Sequence, residues 1–202
     1  MKLYYFGTPN PRVACAVARH LELPVEYVHV DLRQGEQQTP EFLAINPNGK
    51  VPALVDGEAR LWESAAIGSH LARKAGSALW PSEAAGQVEL IRWMAWETAH
   101  FSRHAGTLYF ERVIKPWIGQ NTDAAAVEQA TTYFHQFARV LEAHLEGRQW
   151  LIGETLSLAD FFVARMLPYA EQAQLPLADY PQITRWHEQL MQLPAWREPF
   201  PA

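Results

Sequence analysis

The sequence predicts two consecutive units, an α/β unit followed by an all-α one, and three observations predict it. Strand signals, short apolar runs bounded by turn residues, occur only before Glu63. Composition then shifts at Ala75-Gly76-Ser77-Ala78-Leu79-Trp80-Pro81, a stretch suited to a boundary. Beyond it, apolar residues recur at helical spacing, as in Leu90, Met94, Phe101 and Leu108. The expected organisation is residues 1–76 for the α/β unit, 77–86 for a linker and 87–202 for a helical bundle.

In the first unit, residues 2–6 read as a short buried strand. Asn10 followed by Pro11 opens a helix reaching about His20, because asparagine caps well and proline suits the first helical position. Pro24 to Val30 is a second strand, and Thr39-Pro40-Glu41 starts a short helix ending near Asn46. Asn46-Pro47-Asn48-Gly49 is a turn, and Pro52-Ala53-Leu54-Val55 a third strand. A two-residue loop at Asp56-Gly57 leads to a fourth strand through Leu61-Trp62, and a helix follows from Glu63 to about Lys74. The order β-α-β-α-β-β-α gives an α/β unit with a mixed sheet.

In the second unit a long helix starts at Gln87, with Glu97 and His104 on the same stripe as its apolar residues. A second helix, about Asp123 to Glu146, has Val127, Ala130, Phe134, Phe137, Leu141 and Leu145 as its apolar face. The aromatic content suits bundle packing rather than a coiled coil. Ser157 and Asp160 have the spacing of a capping box, and Leu156 and Phe161 that of a hydrophobic staple, so both polar residues are structural. A last helix runs from about Tyr180 to Leu193.

A formal net charge of -5 and a pI near 5.9 argue against a nucleic-acid or anionic-membrane partner, which would want a basic face. No run approaches a membrane span, and Thr8, Pro9, Asn10, Pro11 and Arg12 interrupt the apolar start before a signal core forms. Cys15, the single cysteine, permits no internal disulfide. The expected location is the cytoplasm. Glu97, His100 and His104 share a helix face, but no further ligand cluster accompanies them and no metal is expected.

The chemistry centres on residues 46–67. Pro52 cannot donate to a sheet ladder, so Val51 beside it keeps its N–H and C=O for another partner. Glu63-Ser64 places an acid and a hydroxyl at a helix start, where unpaired N–H groups favour a carboxylate. Together these make a cradle for a zwitterionic peptide.

Asn46-Pro47-x-Gly49-x-Val51-Pro52-Ala53-Leu54, followed by Glu63-Ser64-x-Ala66-Ile67, resembles the glutathione-binding module of the cytosolic glutathione S-transferases. Trp150-Leu151-Ile152-Gly153-Glu154-Thr155-Leu156-Ser157-Leu158-Ala159-Asp160 resembles that family's second signature, so the likeness spans the chain. It implies a thioredoxin-like domain with a cis Val51–Pro52 peptide, then a helical domain supplying the electrophile pocket. It further implies glutathione as co-substrate, a small hydrophobic electrophile and a homodimer. Carried over by residue, Glu63 meets the γ-glutamyl ammonium, Ser64 its carboxylate, the Val51 backbone next to Pro52 the cysteinyl unit, and Lys50 the glycyl carboxylate. The basic pair that often precedes the second helix in the family reads Gln37-Gln38 here.

Lowering an ordinary thiol pKa of about 8.5 by about 2 units needs roughly 2.7 kcal/mol. A donor to the thiolate gives about 1.5–3 kcal/mol and a helix N-terminus about 0.3–1. The turn from Thr8 to Asn10 offers both. Thr8 resembles the catalytic serine of the serine-type, phi-like classes, and Asn10 is the rival donor, as in some bacterial members with Thr-Pro-Asn. Cys15, within the helix among valines and alanines, reads as a packed thiol. Tyr4 and Tyr5 read as sheet residues. Phe6, Phe101, His104 and Tyr109 are the candidates for the electrophile pocket, with Glu97 and His104 in a partly wet cleft. The expected activity is glutathione transfer. Reduction of organic hydroperoxides and a non-catalytic glutathione-binding or protein-interaction module are the alternatives.

Overall fold

Four strands make one mixed sheet in a computed structural model that describes residues 1–201. They are β1 (Lys2–Tyr5), β2 (Glu26–His29), β3 (Ala53–Asp56) and β4 (Ala59–Trp62), in the order β2-β1-β3-β4. β1 runs parallel to β2 in the register Leu3↔Tyr27, and antiparallel to β3 in the register Leu3↔Leu54. Leu3 and Leu54 are therefore opposed and wholly buried. β4 pairs β3 through Asp56↔Ala59, so the two-residue loop is Gly57-Glu58, one position later than the sequence predicts. Gly57 has φ +60°, the left-handed backbone such a turn needs.

Three helices complete this part of the chain: α1 (Pro9–His20), α2 (Pro40–Leu43) and α3 (Ser64–Lys74). α1 starts before the predicted place. Thr8 is its N-cap and Pro9 takes the proline-tolerant first position, leaving Asn10 inside the first turn. Residues Val13 to Ala18 are buried, Cys15 included. Residues 1–80 and 191–201 form one compact unit, and Pro81–Leu190 a second. The C-terminal segment thus belongs with the first unit, contrary to an 87–202 helical domain. Arg12 is the reason. Its guanidinium lies 4.9 Å from the Trp196 ring, and it donates to the carbonyls of Trp196 and, at 3.4 Å, Arg197. Tyr5 stacks on Phe200 at 5.8 Å, and Arg19 donates to its carbonyl at 3.0 Å. Residues 194–197 form the short helix α11 within this segment.

The second unit opens with a helical run over residues 84–117. Its α segments are α4 (Ala84–Trp96), α5 (Ser102–Tyr109) and α6 (Lys115–Trp117), joined by π turns at Glu97–Phe101 and Phe110–Ile114. α7 (Ala124–Leu145), α8 (Leu158–Val163), α9 (Ala170–Ala173) and α10 (Pro181–Met191) follow. Leu90, Phe101, Leu108, Phe134, Leu141, Phe161 and Trp186 fill its core. The Ser157–Asp160 capping box is present as the spacing predicts. No helix among the described residues is long and apolar enough to cross a membrane.

Candidate functional site

A small cleft of about 170 Å³ in the first unit is lined by Asn10, Asn46, Asn48, Lys50, Val51, Pro52, Glu63 and Ser64. Its floor comes from the turn before β3. The side chain of Asn46, 2% exposed, donates through Nδ2 to the Lys50 carbonyl at 2.5 Å. Its Oδ1 accepts from the Asn48 N–H at 3.1 Å and the Asn48 amide at 2.9 Å. One asparagine therefore ties the loop at both ends. Gly49 closes it at φ +59°, with no room for a side chain because an added Cβ would come within 2.6 Å of the Gln38 amide. Val51 follows, joined to Pro52 by a cis peptide, and its N–H and C=O have no backbone partner among the described residues.

The two walls are helix N-termini. α3 begins at Ser64 after Glu63, whose side chain makes no capping bond. Ile67 N–H is the first to bond back, to the Glu63 carbonyl at 3.0 Å, so the N–H groups of Ser64, Ala65 and Ala66 lack intrahelical partners. Glu63 itself sits at φ 69°, ψ 124°, a region costing a non-glycine residue about 1–3 kcal/mol. The strained backbone leaves its exposed carboxylate beside that positive helix end. At α1, Pro9 and Pro11 have no N–H, and Arg12 N–H bonds to the Thr8 carbonyl at 3.2 Å. Asn10 therefore carries the one free backbone donor of that turn, and its side-chain amide has no protein partner among the described residues. Thr8 caps the helix by backbone geometry alone, without a side-chain bond, and does not line the cleft.

The predicted site residues thus separate. Asn10, Lys50, Val51, Pro52, Glu63 and Ser64 converge, and Thr8 stands two residues from the convergence. Gln38 lies behind the floor, its amide 3.5 Å from the Gly49 carbonyl, and the Gln37 amide oxygen is buried without a hydrogen bond. Asn46 and Asn48 were not predicted, although an Asn-x-Asn-Gly turn carries the signal that would have found them.

Of the pocket candidates, Phe6 belongs to the first unit and Phe101, His104 and Tyr109 to the second. Phe6 packs with Val30, Phe42, Val51 and Ala53 and lies 5.4 Å from the His29 ring. Phe101 is fully buried between Trp96 and Phe134, a core residue rather than a pocket wall. His104 stacks on Tyr133 and Phe137 in a groove between α5 and α7, and Tyr109 packs edge-on against Tyr169. His104 and Tyr109 are five residues apart on α5, a spacing that puts them on different faces of that helix. Glu97, expected in a wet cleft, is fully buried. It pairs with Arg165 at 2.8 Å and accepts from Ser102 and Thr98. Burial pushes its carboxyl up to about 7 in spite of Arg165. Burial also pushes the Cys15 thiol up to about 12, so it supplies no thiolate at neutral pH.

Two family models match, the N-terminal domain of glutathione S-transferase over residues 1–73 and the C-terminal domain over residues 98–194. Glutathione S-transferase 3 of Zea mays is 35% identical, over 98% of this chain and 92% of that protein. Disulfide-bond oxidoreductase YfcG of Escherichia coli is 32% identical, over 96% and 91%. Among solved structures, glutathione S-transferase-I bound with lactoylglutathione superimposes with a TM-score of 0.88 at 27% identity, covering 98% of this chain and 97% of that one.

Proposed function

From the chain's membership of the glutathione S-transferase family, with its thioredoxin-like domain and following helical domain, we infer that it is a glutathione transferase. The observation that carries the reading is the convergence of two open helix N-termini with the unpaired Val51 backbone in one cleft. Glutathione has a partner for each polar end there. The start of α3 takes the γ-glutamyl carboxylate, Glu63 the ammonium, Val51 the cysteinyl amide, and Lys50 the glycyl carboxylate. Gln38 reaches the Gly49 carbonyl behind the floor, and neither it nor Gln37 is charged, which leaves Lys50 as the charged grip on that end. The phi-like, serine-type assignment rests on a hydroxyl residue, Thr8, in the turn between β1 and α1.

The sulfur donor is Asn10. It brings its free N–H and its amide to the helix end that the cleft exposes, whereas Thr8 turns no group into it. The thiolate then attacks a small hydrophobic electrophile, forming the carbon–sulfur bond as the leaving group departs. A second reading draws on the disulfide oxidoreductase relative. The same bound thiolate attacks a disulfide, forming a mixed glutathione disulfide and releasing the other thiolate. That step needs no protein thiol, which suits a chain whose sole cysteine is buried.

The test is ultraviolet thiolate absorbance of bound glutathione against pH, with turnover on aryl halides, enones, hydroperoxides and disulfides. Asn10→Ala is expected to raise the bound thiol pKa by about 1 unit or more, the loss of one charge-assisted bond, and Thr8→Ala by less. An unchanged titration in Asn10→Ala removes the donor assignment. Binding without turnover on any of the panel leaves only a glutathione-binding module. A homodimer, expected of the family, is checked by light scattering.

A further inference from the structure

Four asparagines occur in the chain, and only one has a successor that invites attack on its side chain. Deamidation begins when the next residue's backbone nitrogen gives up its proton and reaches the asparagine Cγ. Asn10 and Asn46 precede prolines, whose nitrogen has no proton to release, and Asn121 precedes the crowded, β-branched Thr122. Asn48 precedes Gly49, which has no side chain in the way.

The loop holds both reactants of that step. Gly49 is buried and its N–H donates to the Asn46 carbonyl at 3.0 Å, so the proton that must leave is engaged and shielded from base. The exposed Asn48 donates its amide to Asn46 Oδ1 at 2.9 Å, and the same oxygen takes the Asn48 N–H at 3.1 Å. Its side chain is thereby tied to the residue two before it rather than to the one after. Asn46 is fixed in turn by its Nδ2 bond to the Lys50 carbonyl. One residue, 2% exposed, restrains nucleophile and electrophile together.

We propose that Asn48 is a latent modification site at the cleft floor, guarded by Asn46: when the loop opens, the Asn48 side chain cyclises on Gly49 and the amide becomes an acid. In that step the Gly49 nitrogen bonds to Cγ, the Cγ–Nδ2 bond breaks, and the amide leaves as ammonia with the Gly49 proton. Water then opens the cyclic imide at either carbonyl, giving an aspartate or its isomer with a lengthened main chain. Either product sets a negative charge in the cleft that Lys50 also lines. The isomer further lengthens a turn already packed against the Gln38 amide. The consequence for ligand binding rests on the reading of this cleft as the glutathione site.

The experiment incubates the full chain at mildly alkaline pH, folded and in urea, and follows peptides covering residues 46–50 by mass spectrometry for the amide-to-acid gain and for isoaspartate. The unfolded wild type is expected to convert at Asn48, and the folded one about tenfold or more slowly, because only the open fraction reacts. Asn46→Ala, with folding checked by circular dichroism, is expected to regain most of the unfolded rate, and Asn48→Ser to lose the mass gain altogether. Hydrogen exchange at the Gly49 N–H of the wild type is expected to show the same protection, and it decides the matter if Asn46→Ala fails to fold. Asn48→Asp, the mimic of the product, is expected to raise the Kd for glutathione about two- to fivefold in calorimetry. Equal folded and unfolded rates, or a folded Asn46→Ala as slow as the wild type, overturn the guard. Conversion elsewhere than at Asn48 overturns the site, and an unchanged Kd in Asn48→Asp overturns its effect on the cleft. If the wild type binds no glutathione, the glutathione reading falls, and the mass measurements still decide the modification.

Discussion

The N-termini of α7, α8 and α10 in the second unit are finished differently from those of α1 and α3 in the first. In the second, Asp160 accepts from the Leu151 and Ser157 N–H groups, the Ser157 hydroxyl and the Trp186 indole, all at 2.8–3.0 Å. Glu142 takes the Gln182 and Ile183 N–H groups at the start of α10, and Asp123 those of Ala125 and Ala126 at the start of α7. In the first unit, α1 and α3 have no side-chain cap and open into one cleft. A carboxylate at a helix start satisfies the same donors whether it comes from the chain or from a ligand. At α7, α8 and α10 that carboxylate is the chain's own, and at α1 and α3 no side chain of the chain fills the place.

The comparison breaks first at Asp160. If it is a satisfied hub, Asp160→Ala strands the Leu151 and Ser157 N–H groups and the Trp186 indole in a fully buried place, at about 1–3 kcal/mol each. The expected loss is about 4–5 kcal/mol in urea denaturation, with Asp160→Asn losing less because one oxygen remains. A loss under about 1 kcal/mol would mean the closed terminus contributes no more than an ordinary cap.

Glu97 sharpens the point that satisfied does not mean free of cost. Its folded pKa, about 7, lies above the ordinary 4.5, so between those values the native state binds more protons than the unfolded one. Stability from this group is full below pH 4.5 and falls as pH rises to 7, by roughly 3 kcal/mol in total. Glu97→Gln, neutral throughout, is expected to lose that slope in denaturation midpoints measured across the window. An unchanged slope would mean that Arg165 outweighs burial and that the carboxyl is ionised throughout.

The fold was legible where local chemistry alone decides it. Proline, glycine and asparagine marked the turns, and Ser157 with Asp160 announced a cap without any partner. The cleft was legible as a spacing, because Val51-Pro52 and Glu63-Ser64 had chain neighbours to argue from. Three things were not. Asn10 moved from cap to first turn because two prolines competed for the helix start, and Pro9 won. The C-terminal segment joins the first unit through Arg12 and Trp196, a contact 184 residues apart that no local pattern carries. The stripe from Leu90 through Glu97, Phe101 and His104 reads in the sequence as one regular helical repeat, which the π turn at Glu97–Phe101 breaks.

The smallest expected effect lies at the open cleft. Lys50 is exposed, and its carbonyl, not its side chain, is held by Asn46, so Lys50→Ala removes the charge and leaves the loop tied. A solvent-exposed ion pair contributes about 0–1 kcal/mol, so KM for glutathione is expected to rise about two- to fivefold with kcat unchanged. The rise should shrink as salt is added, because at about 1 M the screening length falls to about 3 Å. A salt-independent rise would mean that the lysine acts by packing its stem. No rise at low salt would leave the glycyl carboxylate without a charged partner, and the grip on glutathione would then rest on the helix ends and the Val51 backbone alone.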